Sequence, residues 1–131
     1  MLRLFCFIMV LALIVGCGDS NVGLNGKVTF SDDGSPLTKG SVTFLKDGKI
    51  AYGGLNENGT YVVGFLKATD GLPPGRYEVY VSGAEIVHED GTRELLIDRK
   101  YENPETSGLV LDVTAATKEF NFHVDRFQGR R

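Results

Sequence analysis

Alternation of apolar and polar residues is the main structural signal along this chain. In residues 76–82, Tyr77, Val79 and Val81 fall on one face and the residues between them fall on the other, which is the period of a half-buried strand. Strands are expected on this basis at residues 24–30, 40–46, 49–53, 60–65, 76–82, 108–114 and 118–124. Because no segment has a convincing helical period, the pattern predicts an all-β fold, an antiparallel β-sandwich of about seven short strands.

Turn-forming residues separate the expected strands. Asp47-Gly48 predicts a tight hairpin, and Asn58-Gly59 reverses the chain again, since glycine accepts a positive φ without strain. Tyr77 follows Pro74-Gly75 at the start of a strand, where a tyrosine ring commonly packs into the core while its hydroxyl bonds to the backbone. We therefore interpret Tyr77 as structural.

The least regular part of the chain is residues 83–107. A connection of this length in a compact domain is commonly a functional loop or carries a small element of its own. His88 lies here beside two carboxylates, but adjacent residues of an extended chain point to opposite faces, so we expect a solvated loop and no metal or other cofactor.

The end of this segment is the candidate binding surface. Its residues are Tyr101, Glu102, Asn103, Glu105 and Thr106. The competing interpretation is structural: Pro104 shapes the start of a strand and Tyr101 covers the core.

The first residues predict export and anchoring. Arg3 precedes an uncharged apolar run over residues 4–15, which is the length of a signal-peptide core and too short to span a bilayer comfortably. Gly16-Cys17 then resembles the bacterial lipobox, which implies cleavage before Cys17 and lipidation of that residue. The alternatives are an ordinary thiol in a secretory signal that is cut elsewhere, or an uncleaved anchor.

These features divide the chain into four parts. We expect a signal peptide at 1–16, a lipidated tether at 17–23, the sandwich at 24–125 and a polar tail at 126–131. The lipid on Cys17 would hold the domain at a membrane, on the periplasmic or cell-surface side.

Composition excludes several classes of function. The formal net charge is −3, and no block of Lys or Arg suggests a nucleic-acid surface. The two cysteines, Cys6 and Cys17, both lie in the first 17 residues, so the domain itself has neither a disulfide framework nor a thiolate metal site.

Several short motifs carry a family resemblance. The segments 40–44, 58–61 and 74–79 resemble the carboxypeptidase regulatory-like, transthyretin-like domains. The residues 96–101, 106–109 and 120–122 are similar to small lipoproteins abundant in planctomycete bacteria. The resemblance implies a prealbumin-like sandwich on the cell envelope, and it implies no reaction.

The function expected from the sequence is therefore a non-catalytic structural or protein-interaction module. The sequence has no nucleophile elbow, phosphate loop or zinc-binding pair. Transthyretin-like hydrolases of small ureides end in Tyr-Arg-Gly-Ser, whereas this chain ends in Gln128-Gly129-Arg130-Arg131, so a small hydrolase is the weaker alternative. The stronger alternative is a carbohydrate-binding module in which Tyr52, Tyr80 or Tyr101 stacks on sugar rings; another envelope protein or a glycan is thus the expected partner.

Overall fold

The computed structural model of the protein describes residues 21–65, 67 and 70–129, and it confirms the all-β sandwich. The signal peptide and Cys17 lie outside the described residues. In the part that is described, no helix is long and apolar enough to cross a membrane.

Nine strands and one short 3-10 helix make up the described fold. The strands are β1 (Asn25–Phe30), β2 (Ser41–Lys46), β3 (Lys49–Gly54), β4 (Thr60–Val62), β5 (Gly75–Ser82), β6 (Glu85–Val87), β7 (Arg93–Leu95), β8 (Leu109–Val113) and β9 (Phe122–Val124). The 3-10 helix is Arg99–Glu102.

The strands form two main sheets and a separate hairpin. The larger sheet has the order β3-β2-β5-β8 and is antiparallel throughout. The second sheet has the order β4-β1-β9, and its β1–β9 pair is parallel. The hairpin consists of β6 and β7.

The core lies between the two main sheets, and the expected strand faces are confirmed. The inward residues of β1, β2 and β5 are buried, as is Leu24 just before β1; those in the strands are Val28, Phe30, Val42, Phe44, Tyr77, Val79 and Val81. The ring of Phe44 is central to this core, because its centroid lies 6.2 to 6.3 Å from those of Tyr61, Tyr77 and Phe120. Offset and edge-to-face aromatic pairs at this separation add to the stabilisation that burial provides.

Tyr77 has the structural role expected of it. Its ring is buried, and its hydroxyl donates a hydrogen bond of 2.6 Å to the carbonyl oxygen of Pro73. Burial raises the pKa of the Tyr77 hydroxyl above its ordinary value. The bond closes the Pro-Pro-Gly turn against the start of β5.

Two expected strands are shorter than the alternation indicates. β4 ends at Val62, after which Gly64 makes an isolated bridge to Tyr52 at the edge of the larger sheet. β9 begins only at Phe122, although Phe120 already donates its amide proton to Asn25. In both cases the alternation of inward and outward side chains extends beyond the residues that form regular strand hydrogen bonds.

The two ends of the domain also differ from expectation. Val22, expected in the tether, forms a backbone bridge to Leu72 and packs on the core. Arg126 and Phe127, expected in a polar tail, are part of the fold: Arg126 bridges Ile97, and the Phe127 amide donates to the Leu96 carbonyl. Both segments are held by backbone pairing, which the polar composition of a terminus does not reveal.

Candidate binding surface

The hairpin β6–β7 occupies the first half of the irregular segment. Its register pairs Ile86 with Glu94, and the His88 amide closes the turn by donating to the Thr92 carbonyl at 2.8 Å. Gly91 has a φ of +86° in this turn, a conformation that glycine adopts without strain. Residues 83–107 thus carry a small element of their own, one of the two alternatives that their length suggested.

Polar side chains pair across the hairpin. A nitrogen of Arg93 lies 3.3 Å from a carboxylate oxygen of Glu85, and His88 Nε2 lies 3.3 Å from a carboxylate oxygen of Glu94. All four side chains are at least partly open to solvent, so these pairs contribute little to stability and can exchange for partners on another molecule.

The 3-10 helix fixes the second half of the segment. Asp98 caps the helix by accepting from the Lys100 amide at 3.0 Å, and Tyr101 turns its ring inward. The Tyr101 hydroxyl lies 3.2 Å from the Asp125 carboxylate, to which it donates. Because Tyr101 is only 7% exposed, the expectation that it offers an open ring for stacking is wrong.

The other residues of the candidate surface form the turn after the helix. Asn103 accepts from the Glu105 amide at 2.9 Å, and the Thr106 hydroxyl donates to the Lys100 carbonyl at 2.7 Å. Glu105 remains exposed, as does Glu102 at the end of the helix. Asn103 and Thr106 therefore shape the backbone, while the two glutamates face solvent.

An open groove of about 730 Å³ lies beside the hairpin. One wall is the hairpin, another is the 3-10 helix, and Phe127 of the C-terminal segment supplies an aromatic side chain. Its polar lining includes Glu85, His88, Arg93, Arg99 and Glu102. Of the five residues singled out from the sequence, only Glu102 lines this groove.

The larger sheet presents a second surface with exposed tyrosines. Thr43 of β2 is paired with Tyr52 on one side and Tyr80 on the other, so the two tyrosines lie on the same outer face. Tyr52 is 56% exposed and Tyr80 is half-buried, whereas Thr43 between them is buried.

The ionisable groups with shifted pKa values support the fold. Burial, reinforced by Glu119, raises the pKa of Tyr61. Hydrogen bonds from Ser31, Lys100 and Tyr101 lower the pKa of Asp125. Within the described ranges, no three His, Cys, Asp or Glu side chains are grouped so that they could hold a metal ion.

Comparison with known proteins supports the fold alone. No protein-family model matches the chain, and a comparison with curated protein sequences gave no significant match. Among solved structures, the chain is similar to BcpA, the major pilin subunit of Bacillus cereus, with a TM-score of 0.50 and 12% identity over 82% of this chain and 31% of the pilin. The D312A variant of the same pilin matches with a TM-score of 0.47 and 14% identity over 82% of this chain and 30% of that one. The chain thus spans about a third of the pilin's length and shares a β-sandwich fold with part of it.

The sequence did not predict that Arg99 and Phe127 line the same groove. They meet because Arg126 pairs with Ile97, which brings the C-terminal segment beside the helix. No local pattern predicts that pairing, since it joins residues far apart in sequence.

Proposed function

We propose that this protein is a non-catalytic module of the bacterial cell envelope, tethered by lipid on Cys17, which binds an extended segment of another envelope protein. The observation that carries the proposal is the groove beside β6–β7. It combines an aromatic side chain, Phe127, with arginines and carboxylates that come from both the hairpin and the 3-10 helix. Such a lining suits a peptide of mixed charge, with one apolar side chain directed at Phe127.

The hairpin that forms one wall of the groove also has exposed apolar side chains. Val87 is 61% exposed and Ile86 is 36% exposed, although both belong to a strand. Exposed apolar side chains beside a charged groove are the usual composition of a protein-interaction surface.

A non-catalytic role is supported by the hydrogen bonds of three side chains with shifted pKa values. The Tyr61 hydroxyl donates to the Phe120 carbonyl, and the Tyr77 hydroxyl donates to the Pro73 carbonyl. Asp125 accepts from the Ser31 hydroxyl and from Lys100. In Tyr61, Tyr77 and Asp125, the shifted pKa therefore accompanies a hydrogen bond that supports the fold.

Site-specific photo-crosslinking in intact source cells tests the groove. We expect a photoreactive residue at Glu102 to link one defined protein, and the same residue at Val62, an exposed position on β4, to give no such product. Reversing a groove cation with Arg99→Glu should abolish the product, whereas Arg76→Glu on the larger sheet should leave it unchanged. Identical products from both positions, or a product insensitive to Arg99→Glu, would overturn the proposal.

Carbohydrate binding is the second candidate, because Tyr52 and Tyr80 lie on the same face of the larger sheet. Tyrosine rings on a sheet face can stack on sugar rings through their apolar surfaces. Co-sedimentation with purified envelope polysaccharide tests it: Tyr52→Ala and Tyr80→Ala should reduce binding, and Val62→Ala should not. Equal sedimentation of all three variants would exclude this platform.

A further inference from the structure

One edge of the larger sheet is formed by β8. In the described part of the chain, β8 pairs with β5 on one side and with no strand on the other. The opposite edge of the same sheet is different, because Tyr52 of β3 exchanges two backbone hydrogen bonds of 2.9 and 3.0 Å with Gly64. Within the described residues, the backbone of the larger sheet is therefore paired beyond β3 at Tyr52, whereas no strand pairs beyond β8.

β8 has few of the features that normally protect an edge. Proteins block exposed edges with proline, lysine, bulges or very short strands. The sequence of β8 is Leu-Val-Leu-Asp-Val, five residues whose single charged side chain is Asp112. Asp112 faces Arg76 of its own sheet, with 3.9 Å between the nearest charged atoms. The Asp112 carbonyl accepts a long hydrogen bond of 3.4 Å from the Thr117 hydroxyl.

Apolar side chains beside this edge are incompletely covered. Leu109 and Leu111 point toward the core but remain only half-buried. Val110 points to the outer face and is 43% exposed. A strand added to this edge would bury apolar surface on both faces of the sheet, which favours association.

We propose that the added strand is β8 of a second copy, paired antiparallel with Val110 opposite its own equivalent. In this register Leu109 of one copy lies opposite Leu111 of the other on the inner face. Asp112 lies opposite Gly108, which has no side chain. Apolar residues thus meet apolar residues, and each carboxylate avoids an apolar partner.

The alternative register, shifted by one residue, is energetically less favourable. If Leu111 lay opposite its own equivalent, Asp112 would lie against Val110 of the second copy, and the two carboxylates would become diagonal neighbours. Like charges at that position repel, and a carboxylate beside valine loses hydration. The strand is therefore self-complementary in one register, which is what a two-fold symmetric interface requires.

Disulfide trapping of the full chain in membranes tests both the pairing and its register. With Val110→Cys, the two introduced thiols lie directly opposite, within the Cα separation of about 4 to 7 Å that a disulfide needs. With Asp112→Cys, the matched control on the same strand face, the thiols lie about 13 Å apart along the strand. We expect rapid dimer formation by the first variant and at least tenfold slower formation by the second, both above the background of the unsubstituted chain.

A second measurement does not depend on thiol chemistry. In detergent, the full chain should have the molecular mass of a dimer by light scattering, and Val110→Lys should convert it to a monomer because like charges would face each other. Val87→Lys, at an exposed valine of the hairpin, should leave the dimer intact. Equal trapping of both cysteine variants, or a monomeric unsubstituted chain at about 100 µM, would overturn the proposal. Groove variants such as Arg99→Glu do not touch β8, so failure here is distinguishable from failure of the proposed function.

Discussion

The Tyr61 hydroxyl donates a hydrogen bond to the backbone carbonyl of Phe120, 59 residues further along the chain. Tyr61 belongs to β4 and Phe120 precedes β9, so the bond spans the second sheet across β1. Gly26 of β1 lies directly beneath the bond. One side chain therefore ties together the two outer strands of this sheet.

Replacing Tyr61 by Phe should lower the free energy of unfolding by about 1–3 kcal/mol, because the Phe120 carbonyl loses its partner in a mostly buried site. The replacement should also change the pH dependence. Burial raises the pKa of Tyr61 in the folded state above the value of about 10 that tyrosine has in an unfolded chain. The contribution of Tyr61 to the free energy of unfolding is therefore fully present below about pH 10 and is lost as the pH rises above that value.

Denaturant unfolding at pH 7 and at a series of pH values above 9 measures both effects. Tyr52→Phe is the control at pH 7, since Tyr52 is 56% exposed and its replacement should leave the free energy of unfolding nearly unchanged. An alkaline loss of stability that is as steep in Tyr61→Phe as in the unsubstituted chain would contradict the assignment.

Gly26→Ala should be severely destabilising. The added Cβ would fall on the Phe120 carbonyl, far inside van der Waals contact, and 2.6 Å from the Tyr61 hydroxyl oxygen. Neither neighbour can move without breaking the bond between them, so we expect loss of folding or a fall in melting temperature of more than about 10 °C. Gly54→Ala is the matched control, because its Cβ would meet nothing within 4 Å. Thermal melts of similar midpoint for the two variants would show that β1 can shift.

Phe122→Ala should destabilise the fold by about 3–5 kcal/mol, since it removes a buried ring that lies 5.1 Å from the ring of Phe120. Chemical denaturation measures this change in the free energy of unfolding. Val62→Ala serves as the control on the same sheet, where a 50% exposed valine should cost less than about 1 kcal/mol. A negligible loss at Phe122 would mean that this ring is not a packed part of the core.

Cys17→Ala should release the domain from the membrane or leave the precursor uncleaved, as expected if Cys17 is the lipidated residue. Membrane fractionation and the gel mobility of the product measure both results. Cys6→Ala, within the apolar run, should be processed normally. Normal processing and unchanged membrane retention in Cys17→Ala would contradict lipidation.

The candidate site was harder to predict than the fold. Glu102 lines the groove as part of the expected surface, yet Tyr101 is buried and its hydroxyl is bonded to Asp125. Whether a tyrosine in an irregular segment faces inward depends on which distant residue receives its hydroxyl. That partner lies 24 positions away, beyond any local pattern.

The sequence by itself determined which residues face the core, because alternation is a local property of an extended chain. Tyr77, Val79 and Val81 are buried together wherever β5 lies in the sheet. Only the tertiary structure decided which strands are neighbours: the parallel pairing of β1 with β9 and the position of β8 at the end of the larger sheet depend on contacts between distant segments. The same holds for Arg126, whose guanidinium lies 3.8 Å from the centroid of the Phe30 ring and pairs with Asp32. Pairing energy depends on both partners, and a strand's own sequence specifies only one of them.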